Sequence, residues 1–235
     1  MNRQAQAIVL FLIGVAVLHA GFTDIYLRYV KAGLRPLLLM AGIALIVTAV
    51  ATVWYEWRRS REPRDDRPDH HHEPRISWLL VLPFMALILV APPALGSYSA
   101  DRTGTALRSP PGFTELPAGD PLQLSVIDYA GRAVYDHGRS LGDRRVRITG
   151  FVTLDRGGAS YLTRMTLNCC AADAQPIKVG MAGRVPPVLQ PDAWLEVVGT
   201  YTGRQTRDPI NSGVIPFIDI TQAKPVQAPA DPYED

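Results

Sequence analysis

The stretch "RRVRITGFVTLDRGGASYLTRMTL", residues 144–167, decides the fold. Val146 and Ile148 alternate with polar residues, and Phe151 resumes the apolar series after Gly150. A strand through 144–154 with a bulge or kink at the glycine accounts for this pattern. Arg156-Gly157-Gly158 is hairpin-turn chemistry, and 160–167 reads as the returning strand. Working outward, "QPIKVGM" (175–181), "AWLEVVGTYT" (193–202) and "IPFIDITQA" (215–223) are further short strands. Residues 122–138 precede them as a short helix or strand pair, with "VIDYAG" helical. Five strands, the first kinked, predict a small all-β barrel of the OB type over 122–223, with a β-sandwich as the alternative. The tail 224–235, Pro-rich and acidic, is expected to be disordered.

The N-terminal half is of another kind. Runs without formal charge extend over 19 residues from Ala5, 20 from Pro36 and 25 from Ile76. About 20 apolar residues in a helix cross a hydrocarbon core of about 30 Å. Three transmembrane helices are therefore expected, at about 5–27, 34–56 and 76–97, giving a membrane-anchored α + β chain. A cleavable signal peptide ending near "VLHA" is the competing reading of the first run. Against it, Arg3 is the only charge before the run, and Leu18 stands where a small residue is wanted.

Basic residues set the orientation. Arg3 and the six arginines of the loop "WRRSREPRDDRPDHHHEPR" make seven on one side, against five on the other: Arg28, Lys31, Arg35, Arg102 and Arg108. The N-terminus and loop 58–75 are thereby expected in the cytoplasm, in a multi-pass protein of the plasma (inner) membrane whose C-terminal domain is extracytoplasmic. Residues 101–121, rich in Pro and Gly, read as a stretched linker.

Several function classes are excluded by what the chain carries. The outer part, residues 101–235, holds 14 Lys and Arg against 15 Asp and Glu, so no basic footprint for nucleic acid exists. No P-loop, nucleophile elbow, dinucleotide fingerprint or H-E-x-x-H motif is present, and no enzyme is expected.

The apolar helices, the His-bearing loop and the segment "YLTRMTLNCCAADAQPIKV" followed by "DAWLEVVGTYTG" together resemble the YcgQ-like family of uncharacterised bacterial membrane proteins. The pattern R-x-x-L-x-CC-x-AD-x-x-P, Arg164 to Pro176, is the most specific part. The resemblance implies a putative permease subunit: an accessory component of a two-component permease for metal ions or small solutes, partnered by a separate multi-spanning subunit.

Cys169 and Cys170 are the only cysteines. On a regular strand their side chains would diverge, but "AADAQP" supplies a turn able to gather both sulfurs and Asp173. Three readings stay open: a structural pair or vicinal disulfide, a thiolate–carboxylate site for Zn or Cu with His137 as a further ligand, and redox chemistry. Arg164 is expected to pair with Asp173 or to lower a thiol pKa. Trp194 is a structural or partner-contact residue. His70, His71 and His72 form a weak loop metal site. His19 in the first helix is expected to hydrogen bond to a partner helix, and Gly14 and Gly21 to admit one closely. The second functional reading is a membrane-tethered binding or assembly module of the envelope, with structural cysteines and no transport role.

Overall fold

The computed structural model describes residues 3–59, 93–155 and 157–234, which fall into two compact units. The first contains α1 (Arg3–Phe22) and α2 (Arg35–Arg59), packed along each other. Glycine makes that approach possible: a Cβ on Gly14 would lie 3.0 Å from the Gly42 carbonyl oxygen and 2.7 Å from Ile46. The close neighbour of α1 is thus α2 of the same chain. α1 stops at Phe22, short of the expected 27, because Thr23 folds its Oγ1 back onto the carbonyls of His19 (2.9 Å) and Ala20 (3.2 Å). A 3-10 turn, Asp24–Arg28, follows. Among the described residues one helical stretch, Ala32–Arg58, is long and apolar enough to cross a membrane; the apolar part of α1, Gln6–Phe22, is shorter. The third expected helix and the loop at 58–75 fall largely on residues 60–92, outside the described residues. Its expected end near 97 is corrected: Pro93–Gly96 is not helical, and Ser97 opens a separate helix.

The second unit, Leu27–Val30 with Ala94 onward, is the β domain. Its elements are α3 (Ser97–Thr103), β1 (Leu122–Gln123), α4 (Val126–Tyr135), β2 (Val146–Leu154), β3 (Ser160–Thr166), β4 (Gln175–Gly183), β5 (Trp194–Arg207), β6 (Val214–Pro225) and β7 (Tyr233–Glu234). Hydrogen bonding runs β2–β5–β6–β4–β3 and returns from β3 to β2, closing a five-stranded barrel. Only β4–β6 is parallel within that ring. The small barrel expected from the strand pattern is present, and a two-sheet sandwich is not.

Gly150 acts differently from the expected bulge. The β2–β5 register runs unbroken past it, while a Cβ there would sit 2.7 Å from the Thr163 carbonyl oxygen. The missing side chain lets β3 lie against β2 where β2 begins to pair on both edges. The ladder irregularities are in β5–β6 instead, at Val198/Gly199 and Thr202/Gln205.

The interior is filled from the strands by residues such as Ile148, Leu162, Val179, Val197 and Ile218, and by one face of α4. Val126, Tyr129, Ala130 and Ala133 recur at helical spacing and are all fully buried. Ser125 caps that helix by accepting the Asp128 N–H. Tyr129 donates its hydroxyl to the Phe217 carbonyl at 2.7 Å.

Residues 104–121 lie over the domain, buried at Gly104 and Thr105 and mostly exposed from Arg108 on, and are anchored at several points rather than forming the expected stretched linker. Buried Arg132 donates to the Thr114 carbonyl and lies over the Phe113 ring. Ala106 N–H bonds to the Pro176 carbonyl, and Leu107 and Leu116 lie on the core.

The expected disordered tail is corrected as well. β6 continues to Pro225, Val226 donates to the Trp194 carbonyl, and β7 pairs in parallel with β3. Tyr233 joins a second small core outside the barrel with Ala100, Phe151, Met165 and Leu167. Glu234 accepts the N–H groups of Val126 and Ile127, both at 3.0 Å, at the start of α4. Arg164, on β3, lies 3.4 Å from the Glu234 carboxylate, donates to the Tyr233 carbonyl and stacks over Trp194. Pro and acidic content conceal this, because the partners of Tyr233 and Glu234 lie more than sixty residues away in sequence.

Removing one member of a buried ion pair leaves the other uncompensated. Glu234→Ala is therefore expected to cost about 3 kcal/mol, measured by chemical denaturation. Replacing both partners, Arg164→Leu with Glu234→Leu, should cost less than the single change; an equal or larger loss would refute the electrostatic account.

Candidate functional site

The vicinal cysteines stand where the chain leaves β3. Asp173 closes the turn by accepting the N–H of Asn168 (3.1 Å) and of Cys169 (2.9 Å), with Ala171–Asp173 forming a single 3-10 turn. Both thiols are free, Cys169 exposed and Cys170 half-buried, with sulfurs 3.5 Å apart, well beyond a disulfide length of about 2.05 Å. Cys170 also forms an antiparallel bridge with Val30, and Ala171 donates to the Tyr29 carbonyl at 2.7 Å. The Tyr233 hydroxyl donates to the Arg28 carbonyl and receives the Leu95 N–H. Residues 28–30 are thus held by the cysteine turn and β7.

Cys169, Cys170 and Asp173 do come together, as the turn residues require. His137 does not join them: it is exposed in the turn after α4, at a φ of 52°. Among the described residues no three His, Cys, Asp or Glu side chains converge as a metal site, so the expected Zn or Cu set is not assembled. Arg164 is engaged with Glu234 rather than Asp173. The expected lowering of a thiol pKa is also reversed. The hydrogen bond of the Cys169 thiol to the Asp173 carboxylate, with the Cys170 sulfur second, pushes that thiol up to about 11. His19 is exposed on α1, and its backbone carbonyl accepts from Thr23. His70, His71 and His72 lie outside the described residues. Trp194 is structural: it meets Phe151 edge-on at 5.7 Å and carries Arg164 on its face.

A second place in the domain has the features of a binding site. A cavity of about 420 Å³ opens between α3, the β2–β3 turn and the β5–β6 turn. Leu154, Pro209, Ile210 and Ile215 give it apolar walls, and Asp101, Asp155, Tyr161 and Lys178 its polar groups. Lys178 is buried on β4 and pairs with the fully buried Asp208 at 2.9 Å. Asp208 is otherwise saturated by the N–H groups of Thr105 and Ile210. Asp155 is saturated by Gly157, Ala159 and the Tyr161 hydroxyl. Burial pushes the Tyr161 phenol up to about 12, with Asp155 adding to it.

Asp101 differs from these. No hydrogen bond or ion pair engages its carboxylate among the described residues. Burial raises its pKa; Lys178 pulls it down, while Asp192, Asp208 and Asp155 push it further up.

Sequence reasoning passed over this cavity. The available signal was Lys178, one of only three lysines, set between Ile177 and Val179 in a strand otherwise without charge. A lysine so placed is expected to have a buried partner. Asp208 could not be picked out, since it lies in a turn thirty residues on.

Asp173→Asn removes the charge that keeps the Cys169 thiol protonated. Its pKa should fall toward the ordinary value, and alkylation of Cys169 at pH 8 should speed up about tenfold, since lower basicity partly offsets the larger thiolate fraction. An unchanged rate would show that Asp173 only shapes the turn.

No curated protein and no solved structure matches the chain. Residues 122–234 match the family described as the DUF1980 C-terminal domain, which is uncharacterised. The match reaches Glu234 and so takes in the residues that β7 and Arg164 bind to the barrel.

Proposed function

We propose that the chain is a membrane-tethered accessory subunit whose barrel works on the extracytoplasmic side of a multi-spanning permease for metal ions or small solutes. The observation that carries the tether is the face left open on the helix pair. Ile8, Phe11 and Val15 of α1 and Leu37, Met40, Ile43, Val47 and Val50 of α2 remain exposed after the two helices pack. Such a face is at home only against lipid or other helices.

Connectivity supports the side. Leu27–Val30, between α1 and α2, belongs to the same unit as the barrel. The positive-inside bias puts Arg3 and Arg58 in the cytoplasm and that connector outside, the side proposed for the barrel. A chain leaving through α2 has to return before Ala94, and the apolar run from Ile76 has the length to do so. The ring order, with one parallel pair, supports an OB-type barrel, a fold used for binding. The permease partner and its solute rest on the family resemblance.

The cavity beside Lys178 favours a second reading, a tethered binding or assembly module without a transport role.

In intact cells a membrane-impermeant maleimide should label Cys169 at pH 8 without permeabilisation, and Cys169→Ser should lose that signal. Labelling only after permeabilisation would overturn the orientation. Deleting residues 94–235 should leave α1 and α2 in the membrane fraction and abolish uptake by the subunit pair. Uptake that persists would remove the accessory role and leave the tethered module.

A further inference from the structure

We propose that the cavity between α3, the β2–β3 turn and the β5–β6 turn is a binding site for a small organic amine with an apolar body, its ammonium group held by Asp101. The proposal goes beyond the accessory-subunit reading and is independent of whether a permease partner exists.

Hydrogen-bond accounting selects the ligand class. Asp208 uses both carboxylate oxygens inside the protein, on Lys178 and the Thr105 N–H at one and on the Ile210 N–H at the other. Asp155 likewise spends its oxygens on Gly157, Ala159 and Tyr161. Asp101 alone among the lining carboxylates keeps its oxygens free, although it is half-buried. Its oxygens are the acceptors in this cavity left for a donor from outside, and an ammonium group that displaces water from them gains a charge-assisted bond.

The charge balance points the same way. Lys178 and Asp208 neutralise each other at 2.9 Å. That leaves Asp101 and Asp155 against Arg102, whose guanidinium rests 4.0 Å above the Tyr98 ring at the rim. Among the described residues the lining therefore carries one surplus negative charge, which disfavours an anion.

A metal ion is disfavoured by geometry, since no three acidic, His or Cys side chains converge there among the described residues. The walls are also wrong for a hydrated ion. Leu154, Pro209, Ile210 and Ile215 offer apolar surface, and Tyr161 contributes a buried ring. A body of several carbon atoms fills such a space, and a single charged end reaches Asp101. In that pose the ammonium donates to the Asp101 carboxylate, a charge-assisted bond stronger than a neutral one.

Three probes of one size and different charge test this on the full chain in lipid nanodiscs: 2-phenylethylamine, 2-phenylethanol and 3-phenylpropionate, followed by ligand-detected NMR. The amine should bind at least tenfold more tightly than the alcohol, and the carboxylate least. Asp101→Asn should remove the advantage of the amine over the alcohol while the melting temperature stays within a few degrees. Asp219→Asn, whose side chain does not line the cavity, should preserve it. Equal binding of amine and alcohol to the unaltered chain, or preference for the carboxylate, would overturn the proposal without any variant. So would an amine preference that survives in Asp101→Asn.

Discussion

A barrel closes only if one strand hydrogen bonds along both edges, and here β2 carries that constraint. One edge is occupied by β5 from Val146 to Phe151; the other meets β3 from Phe151 to Leu154. Toward Val146 the two strands splay, and an unpaired edge would be left on each. The gap is filled twice: β1 pairs with β2 at Val146 and Arg147, and β7 pairs with β3 at Met165 and Thr166. Both added strands are parallel to their hosts and only two residues long, so neither could persist without the ring.

The same gap explains why a buried arginine and glutamate sit so close to the surface of a barrel. Arg164 points from β3 toward the splay, where β7 delivers Glu234. Burial raises the Glu234 pKa, against the pull of Arg164 and the two α4 N–H groups. Burial also lowers that of Arg164, opposed by Glu234 and Asp231. The charges are thus expensive to hold there, and the helix N-terminus of α4 offsets part of the expense for the carboxylate. What the arrangement secures is register: β7, β3 and the start of α4 meet at one carboxylate, so a slip of any of them would leave a buried charge alone.

How much of this was legible follows from the range of each interaction. The strands 144–154, 160–167 and 215–223 are marked by local alternation and turn residues, and the structure keeps them within a few residues. α4 was visible in part because Val126, Tyr129, Ala130 and Ala133 repeat at helical spacing. The Asp173 turn was legible because its donors, Asn168 and Cys169, are five and four residues away. Glu234, Thr105, Asp208 and Tyr29 were not legible, because each acts on a partner tens of residues distant or more. Composition misled at two places for one reason. Proline and glycine in 101–121, and proline in 224–235, argue against regular structure, but they do not argue against packing, and both segments lie on the barrel with few strand or helix bonds of their own.

The two candidate sites differ most in what they leave unsatisfied. At the cysteine turn nearly every polar group is spent on the fold: Asp173 on two N–H groups, Ala171 on Tyr29, Cys170 on Val30. The Cys169 thiol is held protonated by the carboxylate beside it, which disfavours both metal capture and fast exchange. The turn itself and its docking of residues 28–30 account for the residues found there. In the cavity the balance is reversed. Lys178 and Asp208 hold each other, the neighbouring turns consume Asp155, and Asp101 is left over with no hydrogen-bond partner among the described residues. Residual hydrogen-bonding capacity facing an apolar space is the property a ligand can use, and in this domain it lies in the cavity rather than at the cysteines.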